Sequence, residues 1–336
     1  MVEGAPHEAR WLRAQPRRTL PEHLLERIVR TAFPQCHGID AQSLPDGWRN
    51  ANFKLSLDCT PEPIVLRIYE HDPSICQKEI DLIRPIGDSV PVPEVIHAEP
   101  RGWEEMPPFA LMRYMEGISF RELTRSGDKD AIAQASYAVG ETLALIGRTT
   151  FGKPGWLAPG PNVAAPLLPG ANRMPRFVDL CLASAHLQER MPTDLRDRTH
   201  AFVWAWAPQL ADLDEEACLV HGDFGKRNLL VRSIKGRWTV VAVLDWEFAI
   251  SGSPLADLGH FLRYERVSRP LVEPNFSNGY LHAGGTLAQD WRQLARLVDL
   301  TALCESLTHE DLPNTVVAEL VELVRSTVEN RDPQLS

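Results

Sequence analysis

The stretch that decides the reading is LVHGDFGKRNLLV, Leu219 to Val231. Two short apolar runs bracket a loop that carries His221, Asp223, Lys226, Arg227 and Asn228. Apolar ends that bury as strands hold what lies between them, so polarity this dense resembles chemistry mounted on a rigid frame more than a simple connection. Working outward, RWTVVAVLDWEFA from Arg237 to Ala249 reads as an apolar strand ending at Asp245. Two carboxylates, Asp223 and Asp245, are thus expected at the ends of adjacent short β segments, with Asn228 between them.

The whole chain sets the bounds. Its 336 residues, 44% hydrophobic and 24% charged, describe a soluble globular protein of one large or two modest domains. The polar, Arg-containing N-terminus has no apolar core segment and no run approaches bilayer length, so a cytoplasmic, unanchored protein with no membrane partner is expected. A net charge of -10 argues against nucleic acid as a partner, because phosphate binding needs a basic face. Cys36, Cys59, Cys76, Cys181, Cys218 and Cys304 are scattered without a C-x-x-C pair, which points to reduced, mostly buried thiols and to neither zinc nor a disulfide framework.

Periodicity divides the chain. A helix is expected from about Pro21 to Phe33, with Thr19 and Glu22 spaced as a capping box. NFKLSL and PIVLRIYE alternate apolar and polar residues around a turn-rich DCTPEP and read as a β-hairpin that puts Val65, Arg67 and Tyr69 on one face. SICQKEIDLIRPIG reads as a short helix, VPVPEVIHAEP as an extended segment and PPFALMRYM as a strand running into a linker at Glu116 and Gly117. Helices follow: Ala131 to Ile146, Met174 to Ala185, Leu195 to Leu210, Leu287 to Leu307 and Asn314 to Val328, with a Pro- and Gly-rich loop from Phe151 to Met174. A strand-rich N-terminal lobe, residues 1–115, therefore precedes a larger helical lobe, 116–336, which holds the opening stretch.

Phosphoryl transfer calls for this residue set: a carboxylate to orient an attacking hydroxyl and take its proton, and a carboxylate with a carboxamide to hold Mg²⁺ on nucleotide phosphates. His221, Asp223 and Asn228 stand in the spacing H-x-D-x-x-x-x-N, followed by a strand and Asp245, as in the kinase signature set. With HGDFGKRN and LDWEFA, the chain resembles the aminoglycoside phosphotransferase and choline kinase family, from about Gln42 to Leu307. The resemblance implies an α+β, two-lobed protein-kinase-like fold that uses ATP or GTP with Mg²⁺.

The same resemblance implies roles. Asp223 would be the base, Asn228 and Asp245 the Mg²⁺ ligands, Glu247 a second-metal ligand, and His221 and Asp257 supports of the loop. Arg67 stands where kinases carry a phosphate-binding lysine, with Glu79 as its helix partner; Val65 would roof the purine, and Arg113, Tyr114 and Met115 would form the hinge. The phosphate-covering loop LPDGWRNANF has a single glycine, so Asn50 and Asn52 would offer side-chain amides instead. Lys226 and Arg227 either touch the γ-phosphate or are surface charge.

Past Pro270 acidic residues outnumber basic ones, which suits a cationic acceptor or is simply a solvated helical surface. Glu265, Glu273, Asp290, Trp291 and Glu305 are the candidate acceptor residues. Phe261, Tyr264 and Trp291 either wall a quaternary ammonium or pack the core. The expected activity is phosphate transfer to a hydroxyl of an aminoglycoside-like antibiotic, with choline, ethanolamine, a sugar, an amino alcohol or a macrolide as alternatives, and a silent nucleotide-binding regulator as the reading of another class.

Overall fold

The computed structural model describes residues 20–44, 50–266 and 271–329. Helix α1, Glu22–Ala32, buries Leu24, Leu25, Ile28 and Val29, the stripe that its spacing predicts. The capping-box Thr19 lies outside the described residues. Strands β1 (Ile39–Ser43), β2 (Ala51–Leu57) and β3 (Ile64–Ile68), helix α2 (Ser74–Ile86), then β4 (Val95–Glu99) and β5 (Phe109–Arg113) complete the N-terminal region. The five strands form one sheet in the order β1-β2-β3-β5-β4, and each pairing is antiparallel.

Alternation sorts the sheet's two faces. Phe53, Leu55, Ile64, Leu66, Ile68, Phe109 and Leu111 join α1 in one core, and the intervening Tyr69, Ala110 and Met112 pack with α2 in another. Arg67 shares the second face, directly across from Asn52 of β2.

The helical region opens with β6 (Ile118–Ser119), α3 (Phe120–Ser126) and α4 (Lys129–Gly147). Ser119 and Glu122 form a capping box on α3, and Asp128 caps α4. The Pro- and Gly-rich segment read as a loop contains a short hairpin, β7 (Gly155–Ala158) and β8 (Asn162–Ala165). Helices α5 (Arg173–Leu182), α6 (Ala185–Arg190), α7 (Thr193–Ala205) and α8 (Ala207–Leu213) follow. The expected single helix from Leu195 to Leu210 is thus two: Pro208 begins a new helix in its first turn, a position that tolerates a residue without an N–H.

Next come β9 (Cys218–Val220), β10 (Leu229–Ile234), β11 (Arg237–Val243), a 3₁₀ turn at Trp246–Phe248, β12 (Ile250–Gly252), α9 (Leu255–Phe261), α10 (Asn275–His282), α11 (Trp291–Ser306) and α12 (Asn314–Val328). Here the structure corrects the sequence reading, because β9 and β11 are not sheet neighbours. One sheet runs β11-β10-β6 and the other β8-β7-β12-β9. The Asp223 and Asp245 loops are brought together through β10, which follows the first loop and pairs with β11 just before the second. The expectation of six reduced thiols is also corrected: Cys36 and Cys59 form a disulfide, with Cα atoms 5.2 Å apart, while Cys76, Cys181, Cys218 and Cys304 are free. The pair joins the segment after α1 to the β2–β3 turn, residues distant in sequence and adjacent only in the fold.

Candidate active site

The loop between β9 and β10 is held from below. Asp257, 1% exposed near the start of α9, accepts the His221 backbone N–H at 2.6 Å and the Gly222 N–H at 2.9 Å. Burial drives the Asp257 carboxyl up to about 7 against the pull of those two donors. The His221 ring accepts the Asp223 N–H on Nδ1 at 3.1 Å, so Nε2 carries the proton and donates to Leu244 O at 2.9 Å. Burial pushes this imidazole down to about 4, which keeps it a neutral brace between the two loops. Gly222 has φ +82°, and a Cβ there would lie 2.4 Å from Phe248 O, so the motif's glycine is required twice over.

That brace sets Asp223 beside Asn228, whose Nδ2 donates to the Asp223 backbone O at 2.9 Å and to Oδ2 at 2.8 Å. The other oxygen, Oδ1, lies 3.3 Å from His260 Nε2. Burial first, and then the Asp245 charge, push the Asp223 carboxyl up to about 6.

Asp245 occupies the left-handed region at φ +69°, which is uncommon outside glycine and a recurrent mark of functional turns. Its Oδ1 pairs with Arg67 Nη2, and Arg67 Nε lies 3.1 Å from Glu79 Oε2, close enough for an ion pair though not aligned as a hydrogen bond. Burial would lower the guanidinium's pKa, but the Glu79 and Asp245 carboxylates override it and hold the charge firmly in place. Glu79 also accepts the Tyr69 hydroxyl at 2.7 Å and the Trp246 N–H at 3.0 Å. A single helix residue thereby ties β3, α2 and the Asp245 turn together.

Glu247 is buried; its Oε2 accepts from Asn50 Nδ2 at 2.9 Å, and its backbone O accepts from Lys78 Nζ at 2.8 Å. The carboxylate therefore links the phosphate-covering segment to the Asp245 turn. Asn52 is half-buried on the same face as Arg67. Residues 45–49 of the segment expected to cover the phosphates lie outside the described residues.

At the expected hinge, Val65 is half-buried opposite Met112. Arg113 turns its side chain outward to Glu62 and Glu94, and its N–H donates to Glu94 O. The Tyr114 N–H donates to Pro63 O at 3.3 Å. Two of the three hinge N–H groups are therefore already bonded, and the Met115 backbone is the part that remains as a candidate for contact with the purine edge.

The acceptor candidates separate. Glu265 accepts the Leu271 and Val272 N–H groups and lies 3.8 Å from Lys226 Nζ, so Lys226 anchors the loop instead of being loose surface charge. Arg227 sits on the exposed side of the loop, where its charge lowers the Asp223 pKa. Glu273 receives Ser277 Oγ and Arg292, and Trp291 is buried. Glu265, Glu273 and Trp291 line one cavity together with Arg292 and Arg296. Asp290 is exposed at the start of α11. Glu305 is exposed near the far end of that helix, about 20 Å from Trp291 at the usual rise per residue, and does not join the group. The aromatic wall does not form either: Phe261 packs among Phe120, Phe224 and Phe276, and the Tyr264 hydroxyl bonds Glu319.

Sequence reasoning missed His260, Arg263 and Asp299, and also Lys54, whose ammonium lies 4.2 Å over the Tyr114 ring. His260 and Asp299 sit within the patterns of α9 and α11, Arg263 just past α9 and Lys54 on β2, and none of these local patterns hints at a partner far away in the chain.

Comparison with known proteins places this arrangement. A family model described as phosphotransferase enzyme family matches residues 40–297. The chain belongs to that family. Among curated relatives, acyl-CoA dehydrogenase family member 11 of Pongo abelii is 31% identical over 154 residues, covering 46% of this chain and 18% of that protein. Family member 10 of Mus musculus is 26% identical over 194 residues, covering 55% and 16%. The chain therefore spans less than a fifth of the length of these relatives.

Solved structures share the kinase-like fold. A thermostable variant of aminoglycoside phosphotransferase APH(4)-Ia bound to AMP-PNP and hygromycin B superposes with TM-score 0.62 at 20% identity, covering 90% of this chain and 98% of that one. The GDP and kanamycin complex of APH(2")-IIIa gives 0.65 at 16% identity, covering 92% and 99%. Among the described residues no helix is long and apolar enough to cross a membrane.

Proposed function

We propose that this phosphotransferase moves the γ-phosphate of ATP or GTP, with Mg²⁺, to a hydroxyl of a small molecule. The reading rests on one observation: Asp223 Oδ2 is fixed by Asn228 while its carboxyl, raised to about 6, stays near the working range of a base. Asp223 orients the acceptor hydroxyl and takes its proton as the oxygen attacks in line. Asn228 and Asp245 supply hard oxygens suited to Mg²⁺, and Asn228 spends its amide N–H groups on Asp223, leaving the carbonyl end for a cation. When bound, Mg²⁺ neutralises charge on the transferred phosphate. Arg67, anchored by Glu79, serves the phosphates; Asn50 and Asn52 border them, Glu247 is a candidate second ligand, and Val65 with the Met115 backbone faces the purine. The division into nucleotide-binding and acceptor lobes falls at 115/116, and the proposed compartment is the cytoplasm, where nucleoside triphosphate is abundant.

For the acceptor, an aminoglycoside-like polyol is the first reading, since the structural neighbours carry hygromycin B and kanamycin. A second reading is favoured by charge. Glu265 and Glu273 already answer Lys226 and Arg292, so neither carboxylate of this cavity wall is left to meet a polycation. The curated relatives are named for acyl-CoA, so an anionic hydroxyl compound, such as a hydroxyacyl thioester, fits this wall better than a polycation. The test is acceptor-dependent ADP and GDP release across aminoglycosides, choline, sugars, homoserine and hydroxyacyl thioesters, with Asp223→Asn as control. Stimulation that vanishes in the variant supports phosphotransfer and names the acceptor class; nucleotide binding with no stimulated release by any of them supports a silent regulator.

A further inference from the structure

One oxygen of the Asp223 carboxylate is hydrogen-bonded, and the other has a close neighbour, not aligned as a hydrogen bond, that belongs to no motif. Oδ2 receives Asn228 at 2.8 Å, and Oδ1 lies 3.3 Å from His260 Nε2. The His260 ring is itself fixed from behind, with Nδ1 3.2 Å from Arg263 Nη2. Arg263 in turn is held by Asp299, which is 2% exposed and accepts from Nε at 3.1 Å and from Nη2 at 2.7 Å. An arginine can only donate, so Nδ1 must accept, and a neutral ring then carries its proton on Nε2, pointing at the carboxylate. Burial and the neighbouring Arg263 charge push this imidazole down to about 3, which keeps it neutral.

Packing makes the chain of contacts possible. A Cβ at Gly259 would lie 2.2 Å from Ala295 O and 2.9 Å from Asp299 Cβ, so the glycine lets α9 cross α11 at backbone contact and brings Arg263 onto Asp299. On the other side, a Cβ at Gly225 would lie 3.3 Å from His260 Nε2, so the loop leaves space for the ring.

We propose that His260 is a positioning residue for phosphoryl transfer: with its ring fixed through Arg263 and Asp299, Nε2–H stands 3.3 Å from Asp223 Oδ1, closes on it in the reacting complex, and limits the carboxylate to one orientation toward the acceptor hydroxyl. The proposal rests on the phosphotransfer reading. Both Arg263 and Arg227 are close enough for their charge to act on Asp223. A direct guanidinium pair would draw the carboxylate out of line and weaken it as a base. A neutral ring placed between Arg263 and Asp223 fixes the direction while keeping the guanidinium off the carboxylate.

Two measurements on the full chain test this. The first is a long-range proton–nitrogen correlation of the histidine rings, with the His260 signal assigned by its loss in His260→Gln. The Nε2–H tautomer is expected, with a shift that responds to Asp223→Asn; an Nδ1–H tautomer or an imidazolium overturns the proposal. The second is Mg²⁺-dependent ADP or GDP release, using water or any acceptor that stimulates it. His260→Leu should lower kcat about ten- to a hundredfold, the effect of one hydrogen bond to a charged group, and leave the nucleotide KM within about twofold. His260→Gln, whose amide donates at similar reach, should recover most of the loss. His260→Leu should add nothing on top of Asp223→Asn. Equal losses in the Leu and Gln variants, or a further loss in the Asp223→Asn background, overturn the proposal. If wild-type protein releases no product with any acceptor, the phosphotransfer reading fails, and the ring measurement still decides whether His260 holds Asp223.

Discussion

Arg67→Met is the perturbation whose cost the structure defines best. Arg67 is 8% exposed and Glu79 2%, and the guanidinium lies between Glu79 and Asp245. Methionine keeps the aliphatic stem's packing and deletes only the charge. Removing one partner of a buried ion pair costs about 3–5 kcal/mol, because the remaining charge is left uncompensated. The lower end applies here: Glu79 keeps the Tyr69 hydroxyl and the Trp246 N–H, and Asp245, with its side chain 33% exposed, can recover water. The expected loss is therefore about 3 kcal/mol, read as a lower urea midpoint at unchanged slope. Adding Glu79→Gln removes the stranded charge while the Tyr69 hydroxyl turns to accept, so the double variant should regain about 1.5 kcal/mol or more relative to Arg67→Met alone. A loss under about 1 kcal/mol for Arg67→Met, or strict additivity in the cycle, would refute the buried-hub reasoning. Arg67→Lys should fold better than Arg67→Met yet bind nucleotide worse than wild type, because one ammonium cannot hold two carboxylates and phosphate together.

The other expectations are more local. Asp257→Ala strands the His221 and Gly222 N–H groups at about 1–3 kcal/mol each, so hydrogen exchange at those two amides should accelerate; unchanged protection would show that the carboxylate is not what holds them. Gly222→Ala meets Phe248 O at 2.4 Å in a left-handed backbone, and the displacement of Asp223 should cost about a hundredfold in turnover, whereas wild-type-like kcat would show that the loop absorbs the clash elsewhere. Because Asp223 must be ionised to act as base and its pKa is about 6, the kcat/KM profile should fall as pH drops through 6; a limb near the ordinary carboxylate value would contradict the burial argument. Titration in denaturant without reductant should find four thiols, those of Cys76, Cys181, Cys218 and Cys304; six would mean that Cys36 and Cys59 are unpaired.

What the sequence revealed follows the range of each signal. Period-2 and period-3.6 patterns act over one turn or one strand, so the β2–β3 hairpin, α2 and α12 are legible, and so is the H-x-D-x-x-x-x-N spacing. Pairing of distant strands has no such local signature. The separation of β9 from β11 therefore went unseen, and the tie between Asp223 and Asp245 runs through the pairing of β10 with β11 and through the His221 ring bonded to Leu244 O. The Cys36–Cys59 pair and the hairpin inside the Pro- and Gly-rich segment were hidden for the same reason. Surface charge misled at Glu265 and Glu273, because a one-dimensional count cannot show that Lys226 and Arg292 are folded against them. Asp299 illustrates the limit best: a lone acid among apolar residues of α11, it is buried only because Arg263 is placed on it by a helix crossing at Gly259.

The two carboxylates at the centre carry different loads, and their partners differ accordingly. Asp245 faces a full positive charge, Arg67, as a group that must stay anionic to hold a cation should. Asp223 has neutral neighbours, with Asn228 bonded to one oxygen and the His260 ring 3.3 Å from the other, and the Arg263 guanidinium stands behind that ring. Exchanging those environments would fail on both sides: a cation bonded directly to Asp223 would quench its basicity, and neutral amides on Asp245 would leave Arg67 without one of its two carboxylates. The separation of roles is therefore built from the choice of donor at each carboxylate. For Asp223 that choice is made partly by His260 of α9, whose ring is fixed by Arg263 and through it by Asp299 of α11, so substitutions at Asp299 should be felt as a loss of turnover more than of nucleotide affinity.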